Sequence, residues 1–133
     1  MNSNLSFSTI QNLIKKAWDA KTCFPVQTKE WNESLPELGQ CAVTALLVQD
    51  YLGGDIAFNK TYNHFWNILS DGEEIDLTKN QFKSIPRLNI DSTVTRQALL
   101  NSESADRQRT KARYELLKKR VKRLESTLPV SLH

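Results

Sequence analysis

No stretch of this 133-residue chain approaches the roughly 20 consecutive apolar residues that a membrane-spanning helix needs, so no membrane helix is expected. Met1 to Phe7 show no basic segment followed by an apolar one; no secretory leader is expected, and the expected compartment is the cytoplasm. Cysteine is scarce: Cys23 and Cys41 are the two, where a small secreted scaffold stapled by disulfides carries more. Reduced thiols are the expectation, and a Cys23–Cys41 bridge would block the thiol to which chemistry is assigned below. No ligand pair at the usual close spacing is present, which leaves a zinc site from Cys41, His64 and Asp76 as a weaker option; no metal and no cofactor are expected. There is no internal repeat, low-complexity tract or second domain, and residues 1–133 read as one domain.

What is present is a globular composition, 39% hydrophobic and 25% charged, in a chain long enough to bury one core. The net charge of +3 is unevenly spread. From Asp106 to Glu125 the chain carries nine basic residues against three acidic ones, which leaves the remainder negative. Such asymmetry is one mark of an anionic partner.

Ser8 or Thr9 can cap a first helix whose Ile10, Leu13, Ile14, Ala17 and Trp18 share one face. Cys23 to Leu38 has no periodicity and contains Pro25 and Pro36, so it reads as a long loop carrying Trp31. Gly39-Gln40 then opens a helix from about Cys41 to Tyr51, apolar on nearly every side and therefore central and buried; Gly53-Gly54 ends it. Asp55–Phe58 and Tyr62–Leu69 read as strands, and Asp71-Gly72 as a tight turn folding Glu73–Leu77 back antiparallel. A two-residue turn pairs Ser70 with Glu73 and sets His64 near Lys79, slightly past Asp76. Ser84 to Thr95 reads as loop with a short extended piece, and Thr95 to Asn101 as one or two helical turns. A basic C-terminal helix, about residues 105–126, starts at Ser104 or Asp106 and buries Tyr114, Leu117, Val121 and Leu124.

The order Cys41, His64, Asp76 suggests chemistry. A cysteine at a helix start faces unpaired backbone N–H groups and the positive end of the macrodipole, both of which favour thiolate. His64 is the available base, since the only other histidine is the terminal His133. Asp76 would hold the imidazole in the useful tautomer. The Cys41 N–H is one oxyanion donor, and Gln40 or Trp31 is a candidate for a second, with Trp66 beside them for positioning. Each residue has a plain structural use as well: a packed thiol, a satisfied core histidine, a capping aspartate, aromatic anchors.

Gly39-Gln40-Cys41, His64-Phe65-Trp66-Asn67 and Ile75-Asp76-Leu77-Thr78 resemble the cysteine, histidine and aspartate motifs of the transglutaminase-like superfamily. The chain is similar along nearly its whole length to the YunG-like family of small bacterial proteins. That likeness runs through Ala17-Trp18, Gly39–Asp50, Leu52-Gly53-Gly54, His64–Asn67, Asp76-Leu77-Thr78, Gln81-Phe82 and Arg113-Tyr114 with Leu117. Phe65 stands where tyrosine is expected, and Asn63 precedes the histidine. The resemblance implies an α+β, papain-like fold: a central helix starting at Cys41, packed on a small antiparallel sheet, with Cys41, His64 and Asp76 as the candidate triad. Fold alone does not set the reaction. The leading expectation is a cysteine-dependent acyl hydrolase or transferase acting through a thioester on a peptide, protein or small amide or ester. The alternatives are a non-catalytic interaction module on the same scaffold, or anionic-partner binding by the basic helix. No nucleic-acid motif accompanies that helix, and a solvated basic face is its simpler explanation.

Overall fold

The computed structural model describes residues 5–82, 84 and 87–129. His133, and residues 85 and 86 of the expected loop, lie outside the described residues. The first helix, α1 (Phe7–Ala17), is capped by Ser6 and not by the expected Ser8 or Thr9: the Ser6 Oγ accepts from the Thr9 N–H at 3.2 Å. Ile10, Leu13, Ile14 and Ala17 are buried, as the three- and four-residue spacing demands. The long loop that follows contains one ordered 3₁₀ turn, Pro25–Glu30, with proline in its first turn. Proline is tolerated there because the N–H it lacks would have had no partner.

Helix α2 (Cys41–Leu52) is the centre of the molecule. Val43, Leu46, Leu47 and Val48 are fully buried, and truncating any one of them to alanine forfeits packing on the order of 2–5 kcal/mol for the leucines. A four-stranded antiparallel sheet, order β3-β2-β1-β4, packs on one side of α2 and the last helix on the other. The strands are β1 (Asp55–Asn59), β2 (His64–Ile68), β3 (Glu74–Ile75) and β4 (Ser92–Val94). Asn67 on β2 donates from its side-chain amide to the Ala45 carbonyl at 2.9 Å, in full burial. That bond fastens the histidine strand to the cysteine helix.

Two short helices, α3 (Arg96–Asn101) and α4 (Glu103–Arg107), precede α5 (Thr110–Ser126). The expected continuous C-terminal helix is therefore broken. Arg109 adopts a left-handed backbone, φ 54°, ψ 38°, which a right-handed helix cannot contain. The break leaves the Gln108 carbonyl for the buried guanidinium of Arg113, whose Nε donates to it at 2.9 Å. Tyr114, Leu117 and Val121 line the buried stripe, with Leu124 partly covered.

Not all of the basic residues of this segment face water. Arg120 pairs with Asp19 at 2.8 Å and donates to the Ala17 carbonyl, tying α5 to the end of α1. Tyr114 donates to Asp50, which also pairs with Arg96 at 3.0 Å, joining α5, α2 and α3. Among the described residues no helix is long and apolar enough to cross a membrane.

Candidate active site

Three local devices bring the sequence motifs together. The first is the turn before α2. Gly39 has φ +72°, and a Cβ built there would lie 2.5 Å from the Cys23 sulfur and 2.9 Å from the Phe24 nitrogen. Only glycine fits both that backbone and that approach. The Gly39 carbonyl in turn accepts from the Phe24 N–H at 2.8 Å, so the loop before the helix is clamped where the thiol emerges. Cys41 is the first residue of α2 and half-buried; its N–H belongs to the first turn, where no intrahelical acceptor exists.

The second device is the β1–β2 hairpin. Asn59 accepts from the Tyr62 N–H through its side chain at 2.9 Å, and Asn63 takes a left-handed backbone at φ 50°. Asparagine is among the few non-glycine residues at ease there, which gives the unexpected Asn63 a structural reason. His64 follows at once, 1% exposed.

The third device sets the register of β3. The loop is not the two-residue turn read from Asp71-Gly72. Gly72 (φ 90°) donates to the Leu69 carbonyl at 2.9 Å and the Leu69 N–H donates to the Glu73 carbonyl at 2.8 Å. This is a three-residue loop with glycine in the left-handed position. The strands then pair Asn67 with Ile75 and Ile68 with Glu74. The difference from the expected register is one residue, which switches the face of every side chain. Continued along β2, the observed pairing brings Asp76 abreast of Trp66 and onto the His64 side of the sheet. The His64 Nε2 and Asp76 Oδ2 are 2.7 Å apart.

Asp76 is itself held. Its Oδ1 accepts from the Thr78 N–H at 3.1 Å and from the Thr78 hydroxyl at 3.3 Å. Trp66 stacks on the imidazole, ring centroids 5.7 Å apart and planes within 20°, while Phe82 meets it edge-on at 5.0 Å. With Nε2 given to Asp76, Nδ1 is the nitrogen left for the thiol. Burial is the largest influence on His64 and disfavours its charged form. The Asp76 hydrogen bond and then the adjacent Cys41, with the charges of both, outweigh it and hold the imidazole up at about 9. Cys23 is 1% exposed, and burial pushes its thiol up to about 11.

Cys41 and His64 open on a cavity of about 230 Å³, whose wall includes Gln27, Gln81, Phe82 and Arg113. A second cavity of about 290 Å³ lies across Trp66 and is bordered by Glu74, Asp76 and Lys79.

The structure spends two of the expected oxyanion donors elsewhere. The Trp31 indole N–H donates to the Pro36 carbonyl at 3.0 Å, closing its own loop. Gln40 is fully buried, with its amide N–H₂ given to the Asp19 carbonyl at 3.0 Å and its Oε1 without a partner among the described residues. Neither side chain borders the Cys41 cavity. Trp66 does lie beside His64, but its indole N–H goes to Glu74 at 2.8 Å, so it shields the imidazole rather than reaching toward the thiol.

Two residues at the site carried no role in the sequence. Gln81 bridges the motifs: its Oε1 accepts from the Gly39 N–H at 3.4 Å and its Nε2 lies 3.3 Å from the His64 Nδ1. Arg113, on α5, borders the cavity although it lies far along the chain from the cysteine. The position of Gln81 in a motif with Phe82, and of Arg113 in one with Tyr114, was the available signal, but neither motif says that its polar residue faces the thiol.

These elements define an α+β domain with a small antiparallel sheet and a helix-start thiol set beside a histidine–aspartate pair. The chain belongs to the YunG protein family, whose sequence profile matches residues 6–125. It is 32% identical over 77 residues to "Uncharacterized protein YunG" of Bacillus subtilis (strain 168); the match takes in 56% of this chain and 62% of that relative. The chain thus matches about six-tenths of the length of this curated relative. No solved structure matches significantly.

Proposed function

We propose that the chain is a papain-like thiol acyl hydrolase or acyl transferase, with Cys41 as nucleophile, His64 as acid and base, and Asp76 as the residue that positions the imidazole. The observation that carries this reading is the setting of His64: Nε2 is bonded to Asp76 at 2.7 Å, while the ring shares one cavity wall with Cys41, whose influence helps raise its pKa. A histidine kept only for packing needs neither a bonded carboxylate nor a thiol beside it on an open cavity.

In the first step the Cys41 sulfur attacks the carbonyl carbon of an amide or ester and the C–S bond forms. The Cys41 N–H, free of an intrahelical acceptor, is placed for the oxyanion. The C–N or C–O bond then breaks as the imidazolium gives its Nδ1 proton to the leaving amine or alcohol, leaving a thioester. Formation of the thioester removes the thiolate charge that helps hold His64 protonated, so the ring's neutral form is favoured at the moment a base is needed. Gln81 Nε2, 3.3 Å from Nδ1, suits that neutral ring as a donor. Water attacks next, or an amine in a transferase. His64 takes the proton, and the acyl product leaves with regeneration of the thiol.

The test is competitive labelling with iodoacetamide, read by peptide mass spectrometry. Cys41 is expected to alkylate at least about tenfold faster than buried Cys23, and His64→Ala to remove most of that advantage. Equal labelling of the two cysteines, indifferent to His64→Ala, would overturn the reading.

A further inference from the structure

We propose that Arg113 is the carboxylate-binding group of the Cys41 cavity, and that the acyl donor carries a carboxylate close to its reacting carbonyl. This rests on the thiol reading of the site and narrows its substrate class. Arg113 is 3% exposed, the most deeply buried arginine of the described residues. Its Nε donates to the Gln108 carbonyl at 2.9 Å and its Nη1 to the Thr22 carbonyl at 3.0 Å. Those bonds use neutral acceptors, fix the plane of the guanidinium, and leave part of its five-donor fork without a protein partner among the described residues.

No carboxylate pairs with it among the described residues. The ion pairs among the described residues join His64 to Asp76, Arg96 to Asp50, Arg107 to Glu103 and Arg120 to Asp19. Each of those arginines is more exposed than Arg113, yet each has a carboxylate. A buried guanidinium without one is costly unless an anion completes it. The fold maintains it nonetheless: the left-handed Arg109 backbone breaks the helix where the Gln108 carbonyl is needed.

Location selects the ligand. Arg113 borders the same cavity as Cys41 and His64, and the foremost charge acting on it is that of Cys41. A planar fork held this way matches a carboxylate edge-on. At about 230 Å³ the cavity is small, just below the usual range of ligand sites, which suits a short acyl group. Arg113 also borders a hollow next to Lys21 and Arg109; an anion held there would not shield the thiol.

The test uses two nearly isosteric alkylating agents, iodoacetate and iodoacetamide, with the small thiol N-acetylcysteine as reference. The ratio of iodoacetate to iodoacetamide rates at Cys41 is expected to exceed that of the free thiol by about tenfold and to drop by about tenfold in Arg113→Gln, the worth of one charge-assisted contact. An unchanged ratio, with both rates falling together, would overturn the proposal in favour of thiolate support alone. Should Arg113→Gln fail to fold, protection of the wild-type chain decides. Acetate should slow iodoacetamide labelling of Cys41 saturably and acetamide should not; equal effects of the two refute the anion site. N-acetylalanine against N-acetylaspartate α-amide then tells a chain-end carboxylate from an acidic side chain. A Cys41 that reacts with neither reagent refutes the thiol reading itself, whereas reaction without preference refutes only the carboxylate site.

Discussion

Replacing Asp76 by alanine removes both the hydrogen bond at 2.7 Å and the negative charge that keep His64 protonated. The imidazole stands at about 9 in the folded chain against an ordinary 6.5, a difference worth about 3 kcal/mol at 1.36 kcal/mol per pH unit. His64 is 1% exposed, so solvent screening takes little from that figure. Because the folded state holds its proton more tightly than the unfolded chain, this contribution is complete below about pH 6.5. It drains away as pH rises to about 9. Loss of Asp76 should lower the His64 midpoint by about 1–3 pH units, since burial then acts with less opposition. The assay is an imidazole NMR titration, with the only other histidine, His133, replaced by glutamine for assignment. Urea unfolding at the two ends of the same window accompanies it. The wild type should lose about 3 kcal/mol of stability between them and Asp76→Ala less, at most about 2 kcal/mol. Asp76→Ala will be weaker at every pH because Thr78 also loses its acceptor, so the pH-dependent part is the diagnostic one. A wild-type His64 that is already neutral below pH 7, or an identical loss in both proteins, refutes the reasoning.

Gly39→Ala places a Cβ 2.5 Å from the Cys23 sulfur in a backbone at φ +72°; it should destabilise by about 2–4 kcal/mol, read by thermal unfolding, and slow Cys41 labelling even where the protein is folded. Asn67→Leu removes the buried bond to Ala45; a cost of about 1–3 kcal/mol in urea unfolding should come with slower labelling of Cys41, since the strand bearing His64 loses its tether to α2. Arg109→Gly relieves the left-handed backbone at φ 54° on an exposed side chain and should leave stability level or raise it by up to about 1 kcal/mol. A clear loss on that change would mean that the Arg109 side chain, not its backbone, is what the break requires.

Helix α2 and its cysteine were legible because the signal is dense and local: an all-round apolar run between Gly39 and Gly53. The strands were legible from alternation, but their register was not. A three-residue loop and a two-residue turn look alike around Asp71-Gly72, and that one-residue difference decides whether Asp76 shares a face with His64. The break at Gln108-Arg109 left no trace either, because arginine has no preference for the left-handed region, and Arg113 meets the Gln108 and Thr22 carbonyls only in three dimensions. Trp31 and Gln40 were misjudged as donors to the site for a similar reason. Which acceptor a buried N–H finds, the Pro36 carbonyl or the Asp19 carbonyl, is a matter of loop closure that residue type does not encode.

Acyl transfer to the thiol can be watched without knowing the natural substrate. Incubation with p-nitrophenyl acetate should release a stoichiometric burst of p-nitrophenolate and add one acetyl group to the Cys41 peptide, with His64→Ala slowing the burst by about 100-fold or more. A wild-type chain that shows no burst and carries no acetyl group on Cys41, while remaining folded, would contradict the assignment of Cys41 and His64 as an acyl-transfer pair.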